Sequence, residues 1–302
     1  MINFDVAFYD RSHWGRISVT DSDRLNFLHN QTTNTFKLRK PGEGCDTVVL
    51  TSTARTIDLV TAYILDDSVL LLVSPEMNGK IISFLDRYIF FADKVKLEDI
   101  TEQTATFSLL GAKSHEIVKS LGAENLINQP YGTHCEVKGI QIAVGNELAI
   151  EGYTLIGDKA IDLKQKLIDS GVTEIDHSTW ENLRIEQGRP MPGSELTEDY
   201  NPLEAGLWHT ISFNKGCYIG QETIARLDTY NGVKQQLWGI KLNQSVEPGA
   251  IVKLDDEKVG VMTSVSDSIG LAYIRTKAGG AGLTVDLGEV VDLPFLTHQK
   301  QS

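Results

Sequence analysis

Between residues 104 and 175 the hydrophobic period switches in a fixed order, and that order leaves few folds open. Residues 104–110 alternate as a strand, 114–121 carry apolar side chains at helical spacing and stop at Gly122, and 136–144 and 147–156 read as two more strands. A helix over 158–170 stops at Gly171, and 172–175 closes the series as a strand. Strand, helix, strand, strand, helix, strand is the arrangement of a ferredoxin-like α+β unit.

The preceding segment follows the same plan with one strand more. Residues 16–20 alternate as a short strand, and Asp21 or Ser22 is placed to cap a helix with Leu25 and Leu28 on one face. Strands follow at 45–50, 56–65 and 68–73, with Asp66-Asp67 turning between the last two. Ser74-Pro75 opens a second helix whose apolar face is Ile81, Leu85, Tyr88 and Ile89, and 94–97 reads as a strand. From residue 176 or 178 a helix runs to Gly188 with Trp180, Leu183 and Gln187 along one face; 191–202, rich in proline and acidic residues, is a loop. The pattern predicts two α+β units within 1–234, about 1–103 with 177–234 and 104–176. Past them, short β-rich pieces at 237–242, 251–254, 258–263, 269–274 and 285–291, broken by glycines, predict a small all-β domain over 235–302.

Composition narrows function more than fold. With 302 residues, 41% of them hydrophobic, the chain can bury a substantial core. A formal net charge of −13 argues against a general binder of nucleic acid or acidic membranes, whose affinity rests on basic surface. Cys45, Cys135 and Cys217 are far apart and never in a Cys-x-x-Cys pair, and no His-x-x-x-His spacing occurs. Neither a disulfide framework nor an intrinsic metal site is expected. No apolar run approaches the roughly 20 residues that cross a bilayer, and Met-Ile-Asn-Phe-Asp-Val lacks the basic start and apolar core of a secretory signal, which points to the cytoplasm.

One stretch is demanded by no packing rule: Asn214-Lys215-Gly216-Cys217-Tyr218-Ile219-Gly220-Gln221-Glu222-Thr223-Ile224-Ala225-Arg226. A strand-like lead-in over 211–213 runs into two glycines that let the backbone turn tightly and approach a flat ligand. Gln221 and Glu222 fall in the first turn of a helix, where free N–H groups and the dipole favour anions. Cys217, near that helix start with Lys215 before it and Arg226 beyond, is in a setting that lowers a thiol pKa. The same residues also suit a small buried hydrophobe in an ordinary turn, and the spacing is not a P-loop, which needs Gly-Lys followed by Ser or Thr. Glu186, near the C-terminal end of its helix, is disfavoured by the dipole; Arg184 or Arg189 would compensate it as a surface pair.

Lys215-Gly216-Cys217-Tyr218-Ile219-Gly220-Gln221-Glu222 resembles the signature of the YgfZ family of folate-binding proteins, relatives of the glycine-cleavage T-protein. The resemblance extends from Asp10-Arg11 through Leu183-Arg184-Ile185-Glu186-Gln187-Gly188-Arg189-Pro190 to Val259-Gly260-Val261-Met262-Thr263-Ser264. Phe27-Leu28-His29-Asn30-Gln31-Thr32-Thr33 and Tyr88-Ile89-Phe90-Phe91-Ala92-Asp93-Lys94-Val95 are similar to the cyanobacterial and plastid branch. It implies two ferredoxin-like α+β subdomains plus a small C-terminal β-barrel in a three-part ring. It also implies tetrahydrofolate, or a one-carbon derivative, as ligand, with Glu186 on the pterin. Arg184 joins Arg226 and Tyr218 as cofactor-facing, Lys215 and Arg226 being contacts for the tail or edge and Tyr218 a wall. A carboxylate, apolar walls and cations are what a pterin with an anionic tail requires.

The T-protein's catalytic aspartate lies in an Asp-Asp pair on a strand. Here the matching segment is Arg55-Thr56-Ile57-Asp58-Leu59-Val60, and the catalytic position falls on Leu59. Asp58 points to the opposite face unless the register differs. Two functions follow. The first is a folate-dependent factor for assembly or repair of iron–sulfur client proteins, with Cys217 as functional thiol. The second is an aminomethyl or one-carbon transferase using Asp58. A third arrangement, a hydrolase pairing Cys217 with His209 or His13, has nothing to orient either imidazole.

Overall fold

The computed structural model describes residues 5–300; Met1–Phe4, part of the segment read for a secretory signal, lie outside the described residues. By its contacts the chain divides into two compact units, one running up to Thr47 and resuming over Val60–His177, the other made of Val48–Leu59 and the chain from Ser178.

In the first unit the chain forms β1 (Ala7–Asp10), β2 (Trp14–Thr20), α1 (Arg24–Gln31), β3 (Gly44–Leu50), β4 (Thr56–Ile64), β5 (Ser68–Pro75), α2 (Asn78–Asp86) and β6 (Lys96–Asp99). It continues through β7 (Thr104–Leu110), α3 (Ser114–Leu121), β8 (His134–Val137), β9 (Ile140–Val144), β10 (Gly152–Asp158), α4 (Leu163–Asp169) and β11 (Thr173–Glu174). One sheet has the order β3-β4-β5-β2-β6, a ferredoxin-like set with β3 as the expected additional strand on its outer edge. The other runs β11-β1-β7-β10-β9-β8. Here β1 pairs parallel with β11 and antiparallel with β7, between the first and last strands of the second set. Phe8, Phe107, Leu109, Val118, Ile142, Leu155 and Leu167 form its core, so α3 and α4 cover the sheet that their apolar spacing predicted.

Several local expectations are corrected. Residues 136–144 are a hairpin, not one strand: Lys138 and Gly139, with φ of 54° and 77°, make the tight turn that joins β8 to β9. Ser74-Pro75 ends β5 instead of opening α2, because Trp14 still pairs with Pro75 across the sheet. Neither Asp21 nor Ser22 caps α1; Asp23 occupies the N-cap without a side-chain cap, and its carboxylate accepts the Lys94 N–H at 2.9 Å instead.

The second unit contains α5, whose range is His177–Gln187, then α6 (Gln221–Thr229) and six strands. These are β12 (Gln235–Leu242), β13 (Ile251–Leu254), β14 (Glu257–Val265), β15 (Ile269–Arg275), β16 (Thr284–Val285) and β17 (Gly288–Val291), ordered β13-β14-β15-β12-β17-β16. The sheet is nearly closed: at its free edges Asp286 donates its N–H to the Lys253 carbonyl at 3.0 Å and accepts the Lys253 N–H on its carboxylate at 2.7 Å. Ile240, Val252, Met262, Ala272 and Val290 fill its interior. A separate cluster joins Ile185 of α5 to Leu237, Leu271, Tyr273, Leu293 and Leu296. No helix among the described residues is long and apolar enough to cross a membrane.

Candidate functional site

The end of α5 is fixed by charge as much as by packing. Gly188 takes φ +88°, and the N–H groups of Gly188 and Arg189 both reach the Arg184 carbonyl, at 2.9 and 3.0 Å, which closes the helix. Arg184 and Arg189, expected at the surface, are 1% and 0% exposed. Arg184 donates to Glu195 Oε2 at 3.2 Å, the Arg189 carbonyl at 2.9 Å, Ser264 Oγ at 3.0 Å and both carboxylate oxygens of Glu181. Burial works against its charge, but Glu181 and Glu195 more than offset that, and its pKa lies above the ordinary arginine value. Glu195, itself fully buried, also accepts the Ser264 hydroxyl at 2.6 Å and the Met191 N–H at 3.0 Å, while its carbonyl accepts the Tyr273 hydroxyl at 2.8 Å. With its donors engaged by protein groups, Arg184 positions the helix end and is not a ligand contact.

Glu186 differs from its neighbours. It is half-buried, and its Oε2 is the one carboxylate oxygen among the described residues that is shut from solvent without a hydrogen-bond partner. Such an atom costs about 1–3 kcal/mol when left unmet, and more when charged. At the negative end of α5 this carboxylate needs a donor from outside the protein.

The signature forms an irregular loop from Ile211 to Gly220, and the expected strand at 211–213 is absent. Its two ends are pinned in one apolar cluster, where Ile211 and Ile224 pack with Leu50, Ala54, Leu59, Leu203 and Leu207. Gly220 is required by conformation: it has φ +77°, and a Cβ there would lie 2.3 Å from Leu50 Cδ1 and 2.8 Å from the Thr51 carbonyl. Gly216 is not, having open space and no positive φ. Between them Cys217 is exposed and free of any disulfide. Lys215, 9% exposed, sets its Nζ 4.6 Å from the Tyr218 ring centre, and burial raises the Tyr218 phenol above its usual pKa. The Gln221 amide reaches back to the Lys215 carbonyl at 3.4 Å, tying the loop to α6. Arg226 is on the exposed side of α6.

Asp58 and Leu59 are both 0% exposed on β4. Leu59 sits in the apolar cluster with Ile211 and Ile224, so the position matching the T-protein's catalytic acid holds core hydrocarbon, and its neighbour Asp58 lies on the other face. The structure thus joins Lys215 to Tyr218 and the loop ends to Leu59, while Cys217, Glu186 and Arg226 share no hydrogen bond or ion pair with one another. His209, the candidate base, is engaged elsewhere: its Nδ1 lies 3.0 Å from Thr297 Oγ1, and burial pushes its pKa down to about 4. Sequence reading missed Glu195, Thr297 and Tyr273; Ser264 lay within a motif already singled out. Among the described residues no group of three or more His, Cys, Asp or Glu is arranged to hold a metal ion.

An α+β fold with a nearly closed β-barrel sheet, a buried arginine–glutamate knot and a cysteine loop between them match a known architecture. Residues 1–215 match the family described as GCVT N-terminal domain, and residues 236–294 the family described as CAF17, C-terminal beta-barrel domain. The chain belongs to the GCVT N-terminal domain family, with a CAF17-type C-terminal barrel. It is 46% identical over 311 residues to At1g60990 of Arabidopsis thaliana, a chloroplastic protein named as a transferase, covering 97% of this chain and 72% of that one. It is 27% identical to an aminomethyltransferase of Halalkalibacterium halodurans, over 93% of this chain and 81% of the relative. The fold is that of the glycine cleavage system aminomethyltransferase T of Bartonella henselae, with a TM-score of 0.85 at 17% identity, covering 99% of this chain and 89% of that one.

Proposed function

We propose that this protein binds tetrahydrofolate or a one-carbon derivative at Glu186 and supports iron–sulfur cluster assembly or repair in client enzymes, with Cys217 as the functional thiol. The observation that carries the reading is the buried, partnerless Oε2 of Glu186. A pterin presents adjacent N–H donors along one edge, and two of them meeting one carboxylate is a strong, oriented interaction. Tyr218 offers an apolar wall and Lys215 and Arg226 supply cations for an anionic tail. When bound, the folate supplies a carrier for a one-carbon unit. The protein's own part is to orient that carrier with Glu186 and to present Cys217, which the loop leaves open to a partner.

The second reading is one-carbon transfer, favoured by the transferase names of the relatives and by the wholly buried carboxylate of Asp58. Against it stands Leu59 at the matched catalytic position.

The test is an anaerobic titration with tetrahydrofolate, followed by tryptophan fluorescence, with Glu186→Ala alongside. Saturable binding is expected in the wild type, weakened about 10- to 100-fold in the variant, as loss of a charged hydrogen bond implies. No binding by a folded wild type would sink the ligand assignment. Cys217→Ala should abolish support of an iron–sulfur client enzyme; methylenetetrahydrofolate production from an aminomethyl donor by that same variant would favour the transferase instead.

A further inference from the structure

The segment after the last barrel strand, residues 293–300, touches both halves of the candidate site. At the α5 end, Phe295 donates its N–H to the Gln187 carbonyl at 2.9 Å, and Leu293 and Leu296 pack with Ile185. Glu186 therefore lies between two residues held by this segment. Leu296 also fills the space that a Cβ on Gly188 or Gly206 would need, at 3.1 and 3.0 Å.

The same segment then runs along the base of the signature loop. Thr297 gives its N–H to the Gly206 carbonyl at 2.8 Å, and its hydroxyl accepts the His209 N–H at 3.1 Å while facing the His209 ring at 3.0 Å. Phe295 meets that imidazole edge-on at 5.5 Å. Lys300 places its Nζ 4.4 Å from the Phe213 ring centre and 3.5 Å from Asp228 of α6. Its far side is moored to the barrel, where His298 stacks on Trp238 at 3.8 Å and accepts the Gln236 amide on its carbonyl at 3.3 Å. The signature loop has no regular structure of its own, so these bonds fix its base.

We propose that residues 293–300 act as a strap through which occupancy of the Glu186 carboxylate sets the reactivity of the Cys217 thiol. This rests on the reading of Glu186 and Cys217 as parts of one functional site. The physical content is a differential one: a ligand that pulls Glu186 favours one setting of Ile185 and Gln187 over another, and the strap carries that preference to Thr297, His209 and Phe213. Thr297 and Lys300 are positioning residues.

The experiment uses the full chain and the rate at which iodoacetamide alkylates Cys217, read by mass spectrometry on its own peptide because Cys45 and Cys135 are also free thiols. Without ligand, Thr297→Val and Lys300→Met should each change that rate about fivefold, a typical coupling between sites, while Thr297→Ser keeps the wild-type rate. Ile240→Val, a packing change in the barrel, and Gln299→Ala, on the exposed side of the strap, should leave it unchanged. Equal rates in all variants would refute the strap, as would an Ile240→Val effect as large as that of Thr297→Val, which would reduce it to general stability.

With saturating tetrahydrofolate, the wild-type rate should shift and the shift should shrink in Thr297→Val. A wild type that binds tetrahydrofolate without any change at Cys217 overturns the coupling and leaves the ligand assignment standing. Absence of binding defeats the ligand assignment alone, and the ligand-free rates still decide whether the strap governs the thiol.

Discussion

Around Glu195, the donors of Arg184 are met by carboxylates, a hydroxyl and a carbonyl, and the two side chains are 0% and 2% exposed. In the loop from Ile211 to Gly220, the backbone is irregular, Cys217 is open to solvent, and cations are held over aromatic rings at 4.4 and 4.6 Å. Both regions lie in the second unit and both carry the family's motifs. Their difference is one of task. A carboxylate that must meet a ligand in one orientation needs a rigid support, whereas a thiol that must meet a partner needs reach, and reach is incompatible with a saturated hydrogen-bond network.

The largest test of that contrast is Glu195→Ala, which strips the buried guanidinium of its internal counter-charge and leaves the Met191 N–H and Ser264 hydroxyl unmet. A loss of about 3–5 kcal/mol is expected in denaturant unfolding, the usual cost of breaking a buried pair. A loss below about 1 kcal/mol, the value of a surface ion pair, would show that the knot is no more rigid than the loop.

The base of the loop responds to acid. His209 has a folded pKa of about 4, depressed by burial, so between the ordinary histidine value of 6.5 and 4 the unfolded chain takes up a proton that the folded chain refuses. Stability therefore falls as pH drops through that window, by about 2–3 kcal/mol in total, and levels off below it. Unfolding measured from pH 7 to pH 4 should be steeper in the wild type than in His209→Gln; parallel curves would remove the histidine from the account.

Gly220→Ala should cost about 2 kcal/mol, because the side chain meets both a positive φ and close contacts in the apolar cluster, and Gly216→Ala should cost less than about 0.5 kcal/mol. Equal effects would mean that the two ends of the loop are constrained alike. Smallest of all, Lys300→Met should change unfolding free energy by less than about 1 kcal/mol, since a half-exposed ion pair and one cation–π contact contribute little. A larger loss would make the strap a core element.

Much of the fold was readable because period and punctuation are local. Thr104–Leu110 and Ser114–Leu121 fall where alternation, helical spacing and Gly122 put them. Reading failed where a partner decided the outcome. Four residues, Ala7–Asp10, carry too little pattern to announce a strand, and they form one because β7 and β11 flank them. Residues 211–213 are apolar enough for a strand but find no neighbouring strand to pair with; Ile211 instead packs its side chain into the loop's apolar anchor.

At the site, residue type and spacing identified Cys217, Lys215, Glu186 and the turn at Gly220, since each departs from what packing alone requires. Sequence could not say that Arg184 is buried against Glu195, or that Glu186 Oε2 is left without a partner. Those facts depend on which side chains from distant segments converge, Ser264 from β14 and Glu195 from a proline-rich loop. Local periodicity fixes which face of an element is apolar. Only tertiary packing decides which buried polar group is answered from within the protein and which is left for something else to answer.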